Sequence, residues 1–207
     1  MVVLFVHGMG RSPLSGWLLL HRLRQSGLAT QTFGYIAALE DFDAIVDRLR
    51  MRIEALASID SYVVVGQSLG GVLLRAALNA LPHNTALPSQ VYLLGSPIQP
   101  SRLAMKFRDN ILYRFLCGDC GQLLGSAERM NAIGPVKSPT TAIMGVSRLA
   151  STIGPFNQEL NDGVVSVSEV SAEWLSAAIQ VPGIHASLPS SSVVASIIIR
   201  GLPPKVG

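Results

Sequence analysis

Two periodicities alternate along the chain. Short apolar, β-branched runs recur at Val2–Val6, Thr30–Gly34, Tyr62–Gly66, Gln90–Leu94, Thr140–Gly145 and Ala178–Val181. They read as strands with little polar alternation, the pattern of a sheet covered on both faces. Between them lie helical patterns at Leu14–Ser26, Phe42–Ser58, Leu69–Leu81, Arg102–Leu116, Glu169–Leu175 and Ser192–Ile199. Asp41 and Asp43 stand near the start of the second, where acids suit the helix dipole. Pro82 lies near the end of the third as a stop signal. Strand–helix alternation predicts βαβ units, hence an α/β fold with a compact, mostly parallel sheet of about six strands. There is no internal repeat and no low-complexity linker. Residues 1–207 are expected to form one domain.

Composition sharpens this. Of 207 residues, 49% are hydrophobic and only 14% charged; mean hydropathy is +0.41. That suits a doubly covered sheet and an apolar substrate or interface. Apolar stretches such as Met1–Val6 and Val193–Ile199 are far too short to span a bilayer. The start lacks the basic n-region of a signal peptide, so a cytoplasmic location is expected. The net charge of +3 is mild and lacks basic–aromatic clusters, which argues against nucleic-acid binding. Cys117 and Cys120 form the one C-x-x-C pair; without a second pair they read as incidental thiols in a helix, and no metal or cofactor is expected.

Gly66-Gln67-Ser68-Leu69-Gly70, followed by Gly71, fits G-x-S-x-G between a β-branched run and a buried helix. A serine on such a strand-to-helix turn is a nucleophile elbow. The turn needs small flanking residues, and it sets N–H groups at a helix N-terminus, where negative charge is stabilised. The alternative is a structural Gly-rich turn. An elbow serine needs a base and an orienting acid, in the chain order serine, acid, histidine. Of the four histidines, His7 ends the first strand and His21 lies mid-helix. His83 sits at the far end of the elbow helix, about 18 Å from the serine for about 12 helical residues. His185, past the last strand, is the candidate base; otherwise it is a loop histidine. Asp162, in Asn161-Asp162-Gly163, is the candidate acid. Glu159 is the nearest rival, and the same tripeptide would serve as a plain turn. Glu169 is expected at a helix start. His7-Gly8-Met9-Gly10 after the first strand reads as an oxyanion loop, with the Met9 and Leu69 N–H groups as donors. Gly8, Gly10 and Gln67 are the expected substrate contacts beside the serine.

These motifs together resemble the α/β-hydrolase superfamily, and within it the bacterial lipase and esterase branch: an apolar strand ending in His-Gly, a Gly-x-Ser-x-Gly-Gly elbow and an Asn-Asp-Gly-x-Val acid loop. The resemblance runs from Val2 to about His185. It implies the α/β-hydrolase fold, Ser68, Asp162 and His185 as a triad, and Met9 and Leu69 as oxyanion donors. Gln67 stands where many of these lipases carry His; against the resemblance, the family's first two strands and a secretion signal are not expected here.

Residues 98–138 exceed a simple βα connection and, by the resemblance, correspond to a cap or lid. Leu103, Phe107, Ile111 and Phe115 recur every four residues, which predicts one apolar helical stripe. Phe107 and Ile111 are the expected acyl contacts. Arg102, Lys106, Arg108 and Arg114 against Asp109 give the insert a basic flank suited to a membrane surface or an anionic group; an amphipathic helix packed on the core is the plainer reading. The expectation is a serine hydrolase of apolar carboxylic esters. A thioesterase or acyltransferase using the same triad, and a non-catalytic binding protein of this fold, are the alternatives.

Overall fold

In the computed structural model, which describes residues 1–147 and 155–202, six strands form one parallel sheet. They are β1 (Val2–Val6), β2 (Ala29–Phe33), β3 (Tyr62–Gln67), β4 (Gln90–Leu94), β5 (Thr140–Val146) and β6 (Ala177–Pro182). The spatial order is β2-β1-β3-β4-β5-β6. The helices are α1 (Trp17–Gln25), α2 (Phe42–Ala57), α3 (Leu69–Asn79), α4 (Arg102–Phe107), α5 (Ile111–Leu124), α6 (Ala127–Ile133) and α7 (Ser192–Arg200).

The sheet is buried on both faces because alternate strand residues feed two separate apolar layers. Val3 and Phe5 of β1, Val63 and Val65 of β3, and Tyr92 and Leu94 of β4 pack with Leu19 and Leu23 of α1 and Val194 and Ile198 of α7. Leu4, Val6, Val64, Val91 and Leu93 face the other way, onto α2, α3, α5 and α6. Each such aliphatic side chain removed from water contributes about 1.5–3 kcal/mol. The chain steps outward from β1 to β2, then returns to β3 on the other side of β1, pairing Val6 with Gly66. The strand order therefore reverses between β1 and β3. The crevice above such a reversal is where open α/β sheets hold ligands, and His7 and Ser68 both lead into it.

Two predicted helices differ. Arg102–Leu116 is not one helix. The Asn110 side chain accepts from the Leu112 and Tyr113 N–H groups and starts a new helix, so α4 and α5 are separate. α5 is itself interrupted at Gly118 (φ 53°, ψ −151°). The four-residue stripe is thus broken, and Ile111 and Phe115 are 85% and 77% exposed. Glu169–Leu175 is a single 3-10 turn, Ser168–Val170, followed by irregular chain. The Glu169 carboxylate turns inward to accept from the Ser166 and Arg102 N–H groups, contacts that fix a loop instead of a helix start. Cys117 and Cys120 are free thiols in α5, and burial pushes Cys120 up to about 12. Among the described residues no helix is long and apolar enough to cross a membrane.

Candidate active site

β3 runs into α3 with Ser68 at the joint. Ser68 adopts φ 53°, ψ −125°, a conformation that ordinary side chains rarely occupy. Such a residue costs about 1–3 kcal/mol and persists only where the surroundings enforce it. The enforcement is steric. A Cβ on Gly66 would collide with the Gly71 backbone, one on Gly70 with the Val6 and His7 carbonyls, and one on Gly71 with Ser96. Only glycines let β3, α3, and the ends of β1 and β4 close this tightly. The Ser68 N–H donates to the Leu94 carbonyl at 2.9 Å, and the Gly71 N–H to the Ser68 carbonyl at 3.0 Å. Leu69 then opens an eleven-residue helix with no acid in its first turn, leaving the N-terminal positive end of the dipole beside the serine.

His7 fixes the facing loop. It is buried and stacked on Tyr35 with ring centroids 4.3 Å apart. Its Nδ1 lies 2.8 Å from the Gly8 carbonyl, and the Tyr35 N–H approaches its Nε2 at 3.4 Å. The Tyr35 hydroxyl also donates to the His7 carbonyl at 2.8 Å. One neutral tautomer, protonated at Nδ1, satisfies both ring contacts. Burial lowers the His7 pKa and so favours that neutral form. His7 therefore shapes the Gly8–Gly10 loop. Gly8 lies directly against Ser68: a Cβ there would be 3.2 Å from the Ser68 Cβ.

Asp162 lies 2% exposed in a tight loop closed by an Asn161–Ser166 bridge. The Asn161 side chain accepts from the Gly163 N–H at 2.9 Å and so makes the turn. Asp162 Oδ1 accepts from the Val164 and Val165 N–H groups, both at 2.9 Å. Its Oδ2 lies 2.7 Å from His185 Nδ1, and the His185 N–H donates to the Asp162 carbonyl at 2.9 Å. A carboxylate held this way fixes the imidazole orientation and leaves Nε2 as the free ring nitrogen. Among the described residues no hydrogen bond joins His185 to the Ser68 hydroxyl; such contacts commonly tighten only with substrate. Glu159, the rival acid, is committed elsewhere, to Arg102 and to the Ser168 N–H.

The other expected contacts divide. Met9 is half-buried beside the apolar layer of α2 and α3, and Gly10 is exposed. Gln67 is 1% exposed; its amide points to the His185 carbonyl at 3.4 Å, so it braces the histidine loop from inside. Phe107 lies tilted against Tyr113, with centroids 6.4 Å apart, and Ile111 projects into solvent. His21 and His83 are exposed surface groups away from this pair.

Two features escaped the sequence reading. Gly95, with φ +53°, ends β4 under the acid–histidine pair; a Cβ there would meet Asp162 Oδ2 at 2.9 Å and His185 Nδ1 at 3.0 Å. A glycine just past a strand end was its only signal. Arg102, the first residue of α4, joins α4 to the acid loop: its side chain reaches Glu159, Ser166 and Ser168, and its N–H donates to the buried Glu169. Among the described residues no cluster of three His, Cys, Asp or Glu side chains could hold a metal.

The fold is that of the α/β-hydrolases. The chain is similar to a lipase of Bacillus licheniformis, BlEst2 in mature form, at a TM-score of 0.74 and 15% identity, over 96% of this chain and 90% of that one. It is similar to the RedJ thioesterase of the prodiginine pathway in Streptomyces coelicolor at 0.69 and 15%, over 98% and 90%. A third likeness is tomato methylketone synthase I complexed with 2-tridecanone, at 0.62 and 11%, over 96% of each chain. No protein-family model and no curated protein sequence matches the chain.

Proposed function

We propose that the protein is a serine hydrolase that cleaves carboxylic esters of apolar acyl groups through an acyl-enzyme on Ser68. The observation that carries this reading is the buried Asp162 bonded to His185 Nδ1 at 2.7 Å, on loops that flank a strained elbow serine. His185 Nε2 takes the Ser68 proton as the serine attacks the acyl carbon. Asp162 stabilises the resulting imidazolium. The Met9 and Leu69 N–H groups receive the oxyanion, each such donor contributing about 3–4 kcal/mol. His185 then gives its proton to the leaving oxygen and later activates water against the acyl-enzyme.

The likeness to lipases and a thioesterase supports an acyl-transfer reading at the level of fold. A thioester would pass through the same acyl-enzyme, and comparing paired oxygen esters and thioesters separates the two activities. A fluorophosphonate probe is expected to label the wild type at Ser68 and to leave folded Ser68→Ala unlabelled. No labelling of well-folded wild-type protein would sink the reading.

Residues 98–138, carrying α4, α5 and α6, would then be a cap. Ile111, Leu112, Phe115 and Leu116 are exposed on α5 beside Lys106, Arg108 and Arg114, which supports contact of the cap with an anionic lipid surface. Co-sedimentation with phosphatidylserine vesicles but not phosphatidylcholine ones is expected; equal indifference to both would remove that surface from the picture.

A further inference from the structure

A groove of about 620 Å³ opens beside the candidate site. Its walls are the two loops described above. Gly10, Arg11, Ser12, Leu14 and Trp17 come from the segment that follows β1, while Ala186 and Ser190 come from the 3-10 turn that begins at His185. Gly10 and Ala186 adjoin the oxyanion loop and His185 in the chain, so the groove borders the two loops that flank Ser68.

Its chemistry is one-sided. Among the described residues Arg11 is the only charged one that lines it, and no Asp or Glu does. The Arg11 guanidinium is held in place: one Nη donates to the Ala186 carbonyl at 2.9 Å, across the groove. Arg22 ties the Ser190 carbonyl in the same way at 2.6 Å. The histidine loop is thus stapled to the β1–α1 segment by two arginines, so Arg11 pays little conformational entropy on meeting a ligand. Trp17, the first residue of α1, lines the groove, and no acid stands in that helix's first turn. Trp17 and Leu14, 60% and 76% exposed, supply an apolar floor.

We infer that this groove is a leaving-group subsite for esters or thioesters whose leaving alcohol or thiol carries a carboxylate or phosphate, with Arg11 as the anion-binding residue. The inference rests on the hydrolase reading above. The side of the scissile bond follows from proton transfer: His185 must protonate the leaving atom, so the leaving group lies against the histidine loop, and Ala186 and Ser190 of that loop form the groove wall.

The test compares three acyl substrates: neutral 4-nitrophenyl acetate, 3-carboxy-4-nitrophenyl acetate with its charge on the leaving group, and 4-nitrophenyl hydrogen succinate with its charge on the acyl side. Each anionic kcat/KM is taken relative to the neutral one, in wild type, Arg11→Gln and Arg11→Lys. Glutamine keeps an N–H for the Ala186 carbonyl and removes the charge. The leaving-group ratio is expected to fall about fivefold in Arg11→Gln, the scale of a partly exposed charged contact, and to be largely kept in Arg11→Lys. The acyl-side ratio is expected to move less than twofold. An equal fall for both carboxylates, or no fall, overturns the assignment. Binding of 5-hydroxy-2-nitrobenzoate to Ser68→Ala, followed by Trp17 fluorescence with Trp17→Phe as the blank, needs no turnover. Saturable quenching that Arg11→Gln weakens about fivefold keeps the subsite even if no ester is hydrolysed, in which case only the hydrolase reading fails. Turnover without Arg11-dependent quenching overturns the subsite and leaves the hydrolase reading standing.

Discussion

Gly95→Ala should damage the candidate site from behind without replacing any of its three side chains. Two costs add. Alanine at φ +53° meets the left-handed penalty of about 1–2 kcal/mol. Its methyl would also lie 2.9 Å from Asp162 Oδ2, 3.0 Å from His185 Nδ1 and 3.0 Å from Leu188 Cδ1. Real Cβ atoms do not come that close, and none of the three neighbours is the free end of a flexible chain. Asp162 is held by two backbone N–H bonds and Leu188 is 1% exposed. Overpacking of this kind costs about 1–3 kcal/mol, giving about 2–5 kcal/mol together. That is a large share of the 5–15 kcal/mol typical of a domain, so the variant is expected to fold with a lowered urea midpoint. Displacing His185 by even about 1 Å should cost on the order of a hundredfold in kcat. The reasoning is refuted if the urea midpoint of Gly95→Ala equals that of wild type, or if the variant keeps kcat for 4-nitrophenyl acetate within about threefold of wild type.

Three further outcomes bear on the same constellation. Ser68→Gly should abolish hydrolysis yet be about 1 kcal/mol more stable than Ser68→Ala, because only glycine relieves the strain at φ 53°, ψ −125°; equal urea midpoints for the two variants would remove that strain from the account. Asp162→Asn should lower kcat by about 10³–10⁴-fold, while Glu159→Gln stays within a few-fold; the reverse order in an ester assay would transfer the acid role to Glu159. Asp119 is held below the usual carboxylate range chiefly by its two hydrogen bonds to Arg129; burial opposes them in part, and the Phe42 N–H adds a smaller lowering. Its folded pKa is below the unfolded value, so its stabilisation is full above the unfolded pKa of about 4 and is lost as pH falls through the folded one. Both partners are about a third exposed, which limits the effect to about 1 kcal/mol; Asp119→Asn should show that loss at pH 7 and a correspondingly flatter acid limb in thermal melts.

What the sequence made legible, and what it hid, follow from the range of the interactions involved. β1, β3 and β4 could be read to within a residue because each is a run of apolar positions buried on both faces, a local pattern with one structural answer. The elbow was legible for a related reason: three glycines in six positions are demanded by close approach of backbones that the sheet register itself brings together. The insert was misread because its stripe at 103, 107, 111 and 115 is a helical period with no information about breaks. Asn110, a polar residue that reads equally well as surface or as a cap, divides it. Glu169 failed in the opposite direction. An acid was expected at a helix start, whereas its carboxylate serves Arg102 and Ser166, the first of them far away in the chain.

The contacts that the sequence did not reveal share one property. Gly95, Arg102 and Arg11 act on Asp162, on the acid loop and on Ala186 respectively, and each partner lies more than fifty positions away in sequence. No local pattern marks them. They join the loops that carry the candidate acid and base to β4, to α4 and to the segment after β1. The serine, acid and histidine motifs name three side chains that could react; these three long-range contacts determine where two of them stand and what can lie beside them. The substrate preference of this protein should therefore respond more to Arg11 and the insert than to the pentapeptide around Ser68, since the pentapeptide is dictated by the turn and the groove walls are not.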